Sequence, residues 1–260
     1  MTTVATIADL REALAPARSR GDSVGLVPTM GAFHAGHRSL FRAAREECDT
    51  VVVSLFVNPA QFEAGSDLAG YPHDPGADAV FAEAAGIELL FTPDAAELYP
   101  PGYQTWVEVE ELGRRLEGEH RPGHFRGVAT VCLKLFNLVR PARAYFGQKD
   151  AQQVAVLRRM IRDLDLDLEL ELRVLPTVRD HDGLAFSSRN AQLTAAERER
   201  ALALPRALAT RDLDSARARL AGLDVDYVEV VDLDPPVLAA AVRVGSTRLI
   251  DNVVLDKEKP

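Results

Sequence analysis

The run Thr50–Asn58, TVVVSLFVN, constrains this chain more than any other stretch. It is rich in β-branched residues and has no polar face, so it suits a strand covered on both sides. Ser23–Pro28, Ile87–Thr92 and Ala144–Gly147 read as further short strands. Helix-spaced segments lie between them: Gly36–Cys48, Pro75–Ala85, Gly127–Val139 and Asp150–Asp163. Strands alternating with helices specify a parallel sheet with helices on both faces. The expected class is α/β, a Rossmann-like doubly wound parallel sheet with a smaller C-terminal α+β domain. Right-handed crossovers would put the loops after the strands at one edge, where such sheets bind ligands.

Leu164 to Val174 alternates leucine or valine with acids, which predicts a half-buried strand with a charged outer face. Its acids, Asp163, Asp165, Asp167, Glu169 and Glu171, form a row rather than a converging set. A solvated edge explains them better than a metal. A boundary is expected near Thr177–Asp182, giving domains 1–177 and 178–260. The second would hold a helical stretch, Ala195–Arg219, then strands over Asp226–Asp232, Val237–Val244 and Thr247–Val254.

The 260 residues carry 30 Lys plus Arg against 39 Asp plus Glu, a net charge of −9. That balance excludes nucleic acid and anionic membranes as main partners. The apolar runs Val51–Val57 and Val131–Val139 fall short of the roughly 20 residues a bilayer span needs. Met1–Leu14 has no signal-peptide pattern. The two cysteines, Cys48 and Cys132, read as buried apolar residues, and a reducing cytoplasm is the expected location.

Five segments carry chemistry. In Val27–Leu40, VPTMGAFHAGHRSL, a strand ends, a glycine loop follows, and His34 and His37 open a helix. Helix N-termini favour phosphate, and imidazoles can donate to it. The spacing equally fits a capped helix with two incidental histidines. Zinc would need further ligands, and His73, His120 and His124 are far along the chain. Asn58-Pro59-Ala60-Gln61-Phe62 follows the central strand; it is a polar-substrate loop or an ordinary Asn-Pro turn. Arg121–Gly127, RPGHFRG, is an anion-facing loop or a solvated helix start. Ala144–Gln153, AYFGQKDAQQ, puts Lys149 at a helix N-terminus, a place for a cation when an anion sits there too. Asp182–Asn190, DGLAFSSRN, offers Ser187, Ser188 and Arg189, suited to polyphosphate, or a linker between domains. His34, His37, Lys149 and Arg189 thus lie on segments that could converge on one triphosphate. The P-loop, dinucleotide and serine-hydrolase fingerprints are missing from the sequence.

The His34–His37 string, HAGH, resembles the HxGH signature of the nucleotidylyltransferase superfamily. PTMGAFHAGH, FVNPAQF, EGEHRPGHFRGV, YFGQKDAQQ, FSSRN and VGSTRLIDN, in that order, resemble the pantoate–β-alanine ligase family. That resemblance implies an ATP-dependent ligase with Mg2+, taking ATP, pantoate and β-alanine, and working as a homodimer. Residues 1–177 would bind nucleotide and pantoate, and 178–260 would form a lid. His37, His34, Lys149 and Arg189 would be catalytic. Met30, Gly31, Ala32, Phe33, Ala35, Gly36, Gly147, Gln148, Asp150, Val178, Phe186, Ser187 and Ser188 would complete the ATP site. Gln61 and Gln153 would hold pantoate, with Asn58, Arg121 and His124 as second candidates and Tyr71 near the entrance. Asp78 matches a carboxylate near magnesium. Three departures stand out: Phe186 replaces a usual methionine, Ala77 replaces a second acid, and the link from Ala209 to Asp226 is short.

Overall fold

The structure, a computed structural model, describes residues 1–62, 71 and 73–256. The chain divides into two compact units. The first comprises Met1–Phe33, His37–Phe146 and Val156–Leu175; the second comprises His34–Gly36, Gly147–Ala155 and the chain from Pro176 onward.

A six-stranded sheet is built from β1 (Thr2–Val4), β2 (Val24–Thr29), β3 (Thr50–Leu55), β4 (Leu89–Phe91), β5 (Arg143–Gly147) and β6 (Glu171–Leu175). The strand order is β1-β4-β3-β2-β5-β6, and the β1–β4, β4–β3, β3–β2 and β2–β5 pairs are parallel. The helices are α1 (Ile7–Arg20), α2 (Ala35–Glu47), α3 (Pro75–Ala84), the single turns α4 (Ala95–Leu98) and α5 (Glu117–His120), α6 (His124–Val139) and α7 (Ala151–Asp163). The α/β expectation therefore holds. β3 is buried from Val51 through Leu55, as its unbroken apolar run requires. Val27, Phe41, Val51, Val53, Leu90 and Tyr145 form one core cluster around it.

Local chemistry sets the element ends. Thr6 caps α1 by accepting from the Asp9 amide, and Gly21 ends it in the left-handed conformation. The C-terminus of α2 is held by cations: Arg143 donates to the Glu47 carbonyl at 2.6 Å, and Arg173 pairs with its carboxylate at 2.7 Å. β1 and α1 were not read from the sequence.

In the second unit, β7 (Asp224–Asp232), β8 (Pro236–Val244) and β9 (Thr247–Val254) form an antiparallel sheet in that order. The helices α8 (Ala195–Ala201), α9 (Ala203–Leu208) and α10 (Leu213–Leu220) share its core through Leu204, Leu208, Leu220, Leu238 and Val242. Thr194 and Glu197 make a capping box at the start of α8.

Three expectations change. The alternating stretch becomes a strand only at Glu171. Before that, Asp165 turns left-handed at φ 54° and the Leu166 amide bonds back to Ile161, so the end of α7 consumes the first residues. Leu168 is left 88% exposed, which no half-buried strand would allow. The helical stretch Ala195–Arg219 is three helices: Pro205 has no N–H for the Ala201 carbonyl, and Arg211 has φ 56°. The short link after Ala209 is therefore occupied by α10. Cys132 is buried but Cys48 is only half-buried, with its Sγ 3.4 Å from the Tyr145 hydroxyl; both are free thiols. Among the described residues, no helix is long and apolar enough to cross a membrane.

The turn Pro59–Gln61 packs directly on α6 at Gly127, where a Cβ would lie 2.3 Å from the Ala60 carbonyl oxygen. Backbone cannot yield as a flexible side chain can. Gly127→Ala should therefore cost about 1–3 kcal/mol by overpacking. Urea unfolding measures it; an unchanged midpoint would show that the turn relaxes freely.

Candidate functional site

Each unit carries its own set of the residues singled out from the sequence. In the first unit, β2 ends at Thr29 and the chain enters the loop Met30–Phe33. Gly31 has φ 90°, which glycine adopts freely, and Ala32 has φ 52°, an unfavourable conformation for alanine that needs an external hold. Asp78, in the first turn of α3, supplies it. Its two carboxylate oxygens accept from the Ala32 amide at 2.9 Å and the Phe33 amide at 2.7 Å. A Cβ on residue 31 would sit 2.6 Å from the same carboxylate, so glycine is required twice over. The Phe33 ring is anchored between Phe41, Phe81 and the His37 imidazole, with centroids 5.2 to 5.8 Å apart.

This geometry does not suit Asp78 as a magnesium ligand. The group is 4% exposed and both oxygens are committed to backbone amides. Among the described residues, no group of three or more His, Cys, Asp or Glu could hold a metal. Asp78 anchors the loop instead.

The polar residues after β3 divide into support and presentation. Asn58 is 1% exposed, and its amide is used within the protein. Its Oδ1 accepts from the Ala60 amide, and its Nδ2 donates to the Gln61 Oε1 at 3.0 Å and the Gly127 carbonyl at 3.2 Å. Because Gln61 Oε1 is taken, its Nε2 faces away from Asn58, lying 3.0 Å from Met30 Sδ. With one Nε2 hydrogen donated to Met30 Sδ, Gln61 has a second N–H of the polarity a carboxylate or hydroxyl oxygen needs. His124 is fixed by its partners. Its Nδ1 lies 2.9 Å from the Gln61 carbonyl, which can only accept, and its Nε2 lies 3.3 Å from Arg121 Nη1, which can only donate. These partners favour the tautomer with the proton on Nδ1. Tyr71 meets the Phe62 ring edge-on at 5.8 Å.

In the second unit, His34 stacks on Phe186, with centroids 5.9 Å apart and planes 18° from parallel. Its Nδ1 accepts from the Gly36 amide at 3.1 Å. Burial, reinforced by the Lys149 charge and opposed by Asp150, pulls its pKa down to about 4. A neutral imidazole with an occupied Nδ1 must carry its proton on Nε2. His34 is therefore a fixed, uncharged N–H donor, and its ring leaves no room for a Cβ on residue 36, which would lie 2.9 Å from it.

Residues 178–186 form a narrow hairpin, in which the Phe186 amide donates to the Val178 carbonyl and Arg179 bridges Ala185. Arg198 of α8 straps it by binding Asp180 and Asp182. Ser187 follows and caps the 3-10 turn Ser188–Gln192. Lys149, Ser187, Arg189 and Arg248 line one recess in this unit. Lys149 belongs to the 3-10 turn Gln148–Asp150, between Gly147 and α7, on whose first turn Gln153 is half-buried. Asn252 on β9 was missed from the sequence, although it lies in the tail string VGSTRLIDN. Its Nδ2 donates to the Gln148 and Lys149 carbonyls.

The family model for pantoate-beta-alanine ligase matches residues 2–254. The chain belongs to the pantoate–β-alanine ligase family. The pantothenate synthetases of Corynebacterium efficiens and Moorella thermoacetica are 51% and 49% identical to it, each across 98% of this chain and 99% of theirs. The crystal structure of the Thermus thermophilus pantothenate synthetase superposes with a TM-score of 0.91 at 42% identity, over 98% of this chain and 99% of that one. The Francisella tularensis ligase, whose structure is described as a complex with beta-gamma ATP and beta-alanine, gives 0.86 at 32% identity, over 98% and 97%. The flat Phe186 ring gives His34 a rigid stacking partner.

Two outcomes follow. The His34 imidazole should titrate near pH 4 by NMR; a midpoint near 6.5 would refute its burial as a neutral donor. Its folded pKa lies below the unfolded 6.5, so its linked stability is complete above about 6.5 and is lost as pH falls toward 4. Asp78→Ala should destabilise by about 1–3 kcal/mol for each orphaned amide, while the magnesium concentration giving half-maximal activity stays unchanged. A shifted magnesium requirement would restore Asp78 as a ligand.

Proposed function

We propose that this chain joins pantoate and β-alanine into pantothenate through a pantoyl adenylate, using ATP and releasing AMP and pyrophosphate. The observation that carries this reading is the family match over residues 2–254. The pantoate carboxylate attacks the α-phosphate, pyrophosphate leaves, and the β-alanine amine then displaces AMP from the acyl carbon.

Both substrates of the first step are anions, so local donors and cations must offset their repulsion. His34 donates from Nε2 without bringing a charge that could be lost at neutral pH. His37 hands a proton to the departing pyrophosphate. Lys149 and Arg189, with the Ser187 and Ser188 hydroxyls, take the phosphates. The backbone of Met30–Gly36, Gly147–Asp150, Val178 and Phe186 shapes the rest of the nucleotide site. Gln61 and Gln153 hold pantoate, with Tyr71 near its entrance. Asn58, Arg121 and His124 act on Gln61 by fixing its turn. No protein nucleophile is needed, and positioning supplies much of the rate. Magnesium comes with ATP, bound by its phosphates. The working assembly is a homodimer in the cytoplasm, which light-scattering mass and cell fractionation test.

Mass spectrometry of the protein with Mg-ATP, pantoate and β-alanine, each omitted in turn, tests the reaction. Pantothenate and AMP should form in equal amounts only with all three. Pyrophosphate without amide would mean another amine acceptor. His37→Ala and Lys149→Ala should fold normally yet lose about 3 kcal/mol or more of transition-state stabilisation. Unchanged pantoate-dependent pyrophosphate release in either variant would remove that residue from the mechanism.

A further inference from the structure

We propose that Asn252 is a positioning residue for adenylation, acting through the turn that carries Lys149. The inference rests on the reading that Lys149 meets phosphate. Among the described residues, the ion pair of the Lys149 ammonium with Asp150 is a long one, at 3.4 Å, so the placing of its side chain depends on the backbone that carries it. The turn Gln148–Asp150 spans three residues and has no side-chain cap at Gly147.

Asn252 holds the turn from its carbonyl side instead. It is 4% exposed, and its Nδ2 donates to the Gln148 and Lys149 carbonyls, both at 2.9 Å. Its Oδ1 accepts from Gln148 Nε2 at 3.1 Å, which decides which way the amide faces. The anchor is rigid because Asn252 lies within the β8–β9 ladder, opposite Ala239. Its neighbour Asp251 extends the arrangement. One Asp251 oxygen accepts from the Asn252 amide at 2.8 Å, and Arg179 spans both oxygens at 2.7 and 3.1 Å. Arg179 lies in the hairpin that leads to Ser187. Adjacent residues of one strand therefore hold both segments assigned to phosphate, the Lys149 turn and the Ser187–Arg189 stretch.

A double-mutant cycle tests this, using pyrophosphate release from ATP and pantoate by the full chain. The variants are Asn252→Ala, Lys149→Ala and the double. Asn252→Ala should lower kcat about a hundredfold, the scale of a misplacement near 1 Å, and leave KM for β-alanine in the complete reaction unchanged. In the Lys149→Ala background the same substitution should change kcat within about twofold. A wild-type kcat in Asn252→Ala, or a full hundredfold loss in both backgrounds, overturns the proposal and leaves the Lys149 reading standing. A wild-type rate in Lys149→Ala overturns both. If Asn252→Ala does not fold, Asn252→Ser, which keeps one donor, enters the same cycle with the same expectations.

Discussion

The parallel pairing of β2 with β3 is the constraint on which the first unit depends. The two strands run in register from Val24 opposite Thr50 to Thr29 opposite Leu55. The ladder continues one step further, with the Phe56 amide on the Thr29 carbonyl at 3.0 Å. Thr29 Oγ1 adds a bond to the Ser54 carbonyl. Both chains therefore leave the sheet at the same level. That is why the Met30 thioether and the Gln61 amide, 31 residues apart, come within 3.0 Å. A slip of one residue would flip every β3 side chain to the other face and separate them.

The sheet and most of its helices were legible because their signals are local. Burial on both faces writes an unbroken β-branched run, and amphipathic spacing writes α2, α3, α6 and α7. Elements with weaker local signals were lost. β1 has three residues, too few for a pattern. Alternation over 164–174 imitated a strand, because the end of α7 and the following turn happen to place leucines at every second position. Only backbone bonds to Met160 and Ile161 distinguish the two, and they cannot be seen in composition.

Site residues show a similar division. Histidine, lysine and arginine near strand ends pointed to phosphate by residue type alone. Which polar residues face substrate and which hold backbone was not legible, since the answer depends on partners distant in sequence. Asp78 and Asn58 looked like ligand-facing groups, yet each spends its hydrogen bonds on the loop or turn that carries another residue. Asn252 lay in a string noted for its resemblance and given no role, because its partners are more than a hundred positions away.

That distance has a consequence for synthesis of the chain. The Lys149 turn is completed by a residue 103 positions later. At about 5–20 residues per second, Asn252 is made roughly 5 to 20 s after Lys149. During that interval the nascent chain can already pair β2, β3 and β4, but the turn lacks its clamp. The turn therefore reaches its final hydrogen-bonded form late on the ribosome, only after the chain's second sheet has closed.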